Sequence, residues 1–125
     1  MSSLARVEVA SALWRKQRDG ALEPEDAALL TTLFEADYLG DGERAPRFIA
    51  LAVTSPILDE AARLATNALR PMDAVHLATA LAARRADPDC ATFACLDRRL
   101  RAAAGGAGFA LLPEETPLVG VVTAR

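Results

Sequence analysis

Apolar residues along the chain fall into two kinds of pattern, and each predicts a different element. Leu4, Val7, Ala10, Leu13 and Trp14 recur at helical spacing between the capping candidates Ser2 and Ser3 and the stop Asp19-Gly20. They predict a helix to about Arg18. Glu23-Pro24-Glu25-Asp26 opens a second helix, with proline in its first turn and acids at the positive end of its dipole. Leu29, Leu30, Leu33, Phe34 and Tyr38 are its expected inner face, and Gly40-Asp41-Gly42-Glu43 is the turn after it. Ser55-Pro56 starts a third helix lined by Ile57, Leu58, Ala61, Leu64, Ala65, Ala68 and Leu69. After Pro71, the positions Ala74, Leu77, Ala78 and Leu81 predict a fourth, to about Arg85. A short helix over Arg98–Ala104 is closed by Gly105-Gly106.

Between these lie short, continuously apolar runs: Phe48–Val53, Thr92–Leu96 and Phe109–Leu112, the last stopped by Pro113. They lack the strict alternation of a half-exposed sheet and so predict buried strands. Leu118–Val122 suits a further edge strand. Helices alternating with such strands predict an α/β fold, a parallel sheet flanked by helices. A single domain over 1–125 is expected, with 114–125 as its tail. In folds of this kind ligands gather outside the carboxyl ends of the strands, where Asp97 falls.

Composition narrows the picture. Hydrophobic residues make up 52% of the chain but aromatics only 5%, so close-packed helices with small side chains are expected. The formal charge of -3 gives no general polyanion-binding surface and leaves room only for local basic groups. Cys90 and Cys95 are too few for a disulfide framework. No run suits a membrane span or a signal peptide, which makes the cytoplasm the expected location.

Three acids occupy comparable settings: Glu8 early in the first helix, Asp73 in the first turn after Pro71, and Asp97 directly after an apolar strand. Read as one cluster, they repel one another unless a cation is present, and an all-oxygen set suits Mg²⁺ or Mn²⁺ with a phosphate as partner. Taken singly, each is accounted for by a helix terminus: Glu8 and Asp73 as first-turn charges, Asp97 as the cap of the Arg98 helix. His76, three residues after Asp73, suits a hydrogen bond to it or a place at the rim. Arg98, Arg99 and Arg101 form a local basic group that either holds phosphates or is a solvated face. Arg84 and Arg85 suit a helix C-terminus.

Four pieces in order resemble the PIN-domain ribonucleases, especially the VapC-like toxins of toxin–antitoxin pairs. They are Ser3–Leu13, Leu69–Ala80, Thr92–Leu100, and Ala102-Ala103 through Gly108–Pro113. The resemblance implies a PIN-like parallel sheet flanked by helices and a Mg²⁺- or Mn²⁺-dependent endoribonuclease. Glu8, Asp73 and Asp97 would be its catalytic and metal-binding acids, and Arg98 and Arg99 its contacts to RNA phosphates. It also implies an antitoxin protein as partner. Cys95 stands where the family often has Thr or Ser. The match begins at the end of the family's second strand, so an N-terminally truncated domain without the opening strand and first catalytic aspartate is expected. The other reading is a catalytically deficient, PIN-like remnant that binds an antitoxin or associates with itself, and a homodimer is the expected state.

Overall fold

The computed structural model describes residues 1–65 and 69–114. The chain divides into two compact units, one over Met1–Thr54 and a second from Ser55 onward. The expected edge strand Leu118–Val122 lies outside the described residues.

The first unit is a helical hairpin. α1 (Ala5–Arg18) starts one turn after Ser2, whose Oγ accepts the Leu4 N–H at 3.2 Å. It ends at Asp19 and at Gly20, whose φ of 75° is open to glycine. α2 (Pro24–Leu39) begins on its proline, as the sequence predicts. The two helices pack together, and a forked Arg6–Glu35 ion pair with contacts of 2.6 to 3.1 Å ties them. Phe34 stacks near Tyr38 and Phe48, with ring centroids 5.8 and 6.3 Å apart. α2 nevertheless differs from its predicted amphipathic form. Leu29, Leu30 and Leu33 are exposed rather than inward, because apolar residues continue around the helix and α1 packs on the side of Ala27.

The second unit holds α3 (Ser55–Leu64), α4 (Pro71–Ala86), β1 (Thr92–Ala94), α5 (Arg98–Gly106) and β2 (Ala110–Leu112). α3 packs on α4, and Arg85 clamps Glu60 across them at 2.6 Å. α4 carries the most buried positions, among them Ala74, Leu77 and Ala78. The core gathers Leu77, Leu100, Ala104 and Phe109, with Leu64, Leu81, Phe93 and Leu111 against it. Arg84 lies 4.0 Å over the Phe109 ring and donates to Ala107 O at 2.8 Å, so it fastens the end of α4 to the chain entering β2. α5 runs through Gly105 and Gly106, and the turn falls instead on Gly108, with φ 89°.

The strands overturn the predicted fold class. β1 and β2 pair in parallel, Thr92 with Ala110 through Ala94 with Leu112, and they are the one sheet among the described residues. Phe48–Val53 is not a strand. Leu51 forms an isolated parallel bridge to Ser2, and Ile49 O accepts the Met1 amino group at 2.9 Å, but no ladder follows. A continuous apolar run specifies a strand only where a partner of equal length lies beside it, and here α1 begins at Ala5. The result is a helix-dominated chain with a two-stranded, unclosed sheet. Among the described residues it lacks the multi-stranded core of a PIN domain, and the expected PIN-like fold and family membership are corrected accordingly.

Candidate functional site

The carboxyl ends of β1 and β2 are where the sequence places chemistry, and local geometry explains what stands there. Asp97 follows β1 and caps α5. Its Oδ1 accepts the N–H groups of Arg99 and Leu100, each at 2.9 Å. Those donors, Leu100 first, hold its carboxyl below the usual range. Arg98 and Arg99 are exposed in the first turn of α5. Arg101 turns inward and is only 9% exposed. Its Nη1 donates to Cys95 O at 2.9 Å and Leu112 O at 3.0 Å, and its Nη2 to Pro113 O at 3.0 Å. One guanidinium therefore gathers carbonyls at the ends of both strands, including Leu112 O, which also accepts the Cys95 N–H at 2.9 Å.

Asp73 is half-buried in the first turn of α4, with His76 half-buried one turn on. Burial pushes the Cys95 thiol up, and the charges of Asp97 and Asp73 act in the same direction, so these two acids share one electrostatic neighbourhood. Glu8 lies half-buried on α1, in the first unit. Among the described residues, no group of three or more His, Cys, Asp and Glu could hold a metal ion. Nothing among those residues supports the expected metal-dependent nuclease site, and no PIN-like sheet to carry one is found among them. A shallow pocket in the first unit is lined by Asp37, Asp41, Arg44 and Arg47. Its charges pair internally, Arg44 with Asp41 at 2.9 Å and Arg47 with Asp37 at 3.5 Å.

A surface feature is more distinctive. Along Thr92–Leu96 the side chains alternate, Phe93 and Cys95 inward, Thr92, Ala94 and Leu96 outward. On β2, Leu111 turns inward while Ala110 and Leu112 turn outward. The outer face thus presents Ala94, Leu96, Ala110 and Leu112, with Leu96 82% and Leu112 45% exposed. Parallel sheets are ordinarily covered on both faces. In the first unit, Leu29, Leu30 and Leu33 make a second uncovered apolar stripe.

Sequence reasoning missed Arg101 as a clamp, grouping it with its two exposed neighbours. Helical spacing carries the signal, since Arg101 lies three residues before the buried Ala104. No helix among the described residues is long and apolar enough to cross a membrane. Comparison with known proteins finds no matching family model, no matching curated protein and no matching solved structure.

Proposed function

We propose that the protein is a self-associating module, and that a second copy of the chain joins at its two-stranded sheet, beside the uncovered apolar face. One observation carries this reading: the outer face of the β1–β2 pair is apolar, parallel and bare, with Leu96 82% exposed. Burying a leucine side chain is worth about 1.5–3 kcal/mol, so such a face gains most from a partner that is also apolar. The leucine stripe of α2 points the same way. An antitoxin-type partner is the other binding protein expected from the sequence. The bare face favours a second copy, because an apolar patch on each molecule is complementary to itself.

Sedimentation velocity over a wide concentration range tests the reading. The chain is expected to pass from monomer to dimer, and Leu96→Lys, which places a charge on the bare face, is expected to shift the transition to higher concentration with helical content unchanged. A chain that stays monomeric at the highest concentration reached overturns it.

A further inference from the structure

We infer that two copies join through the edge of β1 that pairs with no strand among the described residues, antiparallel across a twofold axis at Ala94, into a continuous sheet with β2 of each copy outermost. The inference rests on the self-association just proposed and specifies where and in what register it occurs.

Backbone direction selects the edge. Ala110 N–H donates to Ala91 O and Cys95 N–H to Leu112 O, both at 2.9 Å, so alternate residues from Ala91 to Cys95 turn their amides and carbonyls to β2. Thr92, Ala94 and Leu96 therefore turn theirs to the open side. None of the three is charged or proline, the usual devices that keep an edge from pairing. The outer edge of β2 offers Leu111 and is then stopped by Pro113, which has no N–H to give.

Symmetry selects the register. Residues paired across two antiparallel strands point to the same face, so a twofold axis normal to the sheet can pass midway between a residue and its own copy. Ala94 is the middle of the three edge-facing residues. With the axis there, Thr92 pairs with Leu96 of the other copy, twice, and all three residues exchange backbone hydrogen bonds. Two small side chains meet at the axis, and each exposed Leu96 gains a neighbour on the outer face.

Charge selects a second copy as the occupant. Exposed Asp87 and Asp89 precede β1, and exposed Arg98 and Arg99 follow it. Antiparallel pairing of identical strands brings the acidic approach of one copy to the basic exit of the other at both ends. Pairing in the parallel sense would set like charges together.

Two measurements test this. In a Cys90→Ser, Cys95→Ser background, Ala94→Cys is expected to cross-link into a covalent dimer under mild oxidation, because Cα atoms of a hydrogen-bonded antiparallel pair lie about 5.5 Å apart, within disulfide range. Ala110→Cys, on the outer strand of the same face, is expected not to. Separately, Asp89→Arg or Arg99→Asp alone is expected to weaken dimerisation roughly tenfold, and the two together to restore it. Ready cross-linking at Ala110, none at Ala94, or single reversals without effect in a chain that still dimerises overturns the edge assignment and leaves self-association standing. A wild-type chain that never dimerises overturns both.

Discussion

At the residue scale, Arg101 and Asp97 show how charged groups near a strand end can serve the backbone. Arg101 is buried, and replacing it with methionine removes the guanidinium donor from Cys95 O and Pro113 O and leaves Leu112 O with the Cys95 N–H alone. Arg101→Met is expected to lower stability by about 3 kcal/mol, read as a fall in the urea midpoint at unchanged slope. Asp97 acts differently, because its carboxyl is held below its ordinary range chiefly by the Leu100 N–H. The stabilisation it gives is fully present above the unfolded carboxylate pKa and is lost as pH falls through the lower, folded value. The stability gap between wild type and Asp97→Ala is therefore expected to be constant near neutrality and to close in acid. Of these two roles the cap was legible in the sequence, as an aspartate directly before a helix. The clamp was not, because its acceptors are backbone carbonyls, which leave no trace in side-chain pattern.

At the element scale, α4 and α2 are both rich in alanine and leucine, yet the structure uses them differently. Leu77 on α4 is 1% exposed and sits in the core, whereas Leu29 on α2 is open to solvent. Leu77→Ala is expected to cost about 3 kcal/mol and Leu29→Ala within about 0.5 kcal/mol, each by urea unfolding. Helix positions were readable from caps and prolines, and Pro24 and Pro71 open α2 and α4 as expected. Which face each helix buries was not readable for α2, since apolar residues on every side, Ala27 and Phe34 as well as Leu29 and Leu33, leave no single stripe to mark it. The turn after α2 carries a sharper constraint. Gly40 has φ 79°, and a Cβ there would lie 2.6 Å from Arg44 O. Gly20 has a similar φ of 75° but open space around it. Gly40→Ala is therefore expected to destabilise more than Gly20→Ala, which should cost about 1 kcal/mol; paired thermal melts decide the order.

At the scale of the whole molecule, the strands mark the boundary of what the sequence could tell. Thr92–Leu96 and Phe109–Leu112 contain strands because each is beside the other, joined through α5. Phe48–Val53 has the same apolar character and only a single bridged residue, so strand formation was decided by neighbours that composition does not name. The acids were similarly ambiguous: a first-turn or capping carboxylate and a metal ligand look alike until three of them converge, and among the described residues no such group forms. Net charge adds an expectation about association. The chain carries -3 at pH 7 and has a pI near 5.1, so repulsion between copies falls as pH approaches 5. Dimerisation is expected to tighten between pH 7 and about 5.1 in low salt, with a smaller change in high salt, as sedimentation equilibrium would read.

The Arg101 clamp also ties the fate of a helix to the residues that come after it. Of its three acceptors, Cys95 lies six residues earlier, but Leu112 and Pro113 lie eleven and twelve residues later. A chain cut between α5 and Leu112 therefore keeps a guanidinium on the core-facing side of that helix with only one of its three carbonyls present. α3 and α4 need nothing from that stretch to dock, whereas the sheet closes only with Leu112 in place. Such a fragment is expected to retain docked helices beside an open, charged flank, and to be cut by proteases sooner than the full chain.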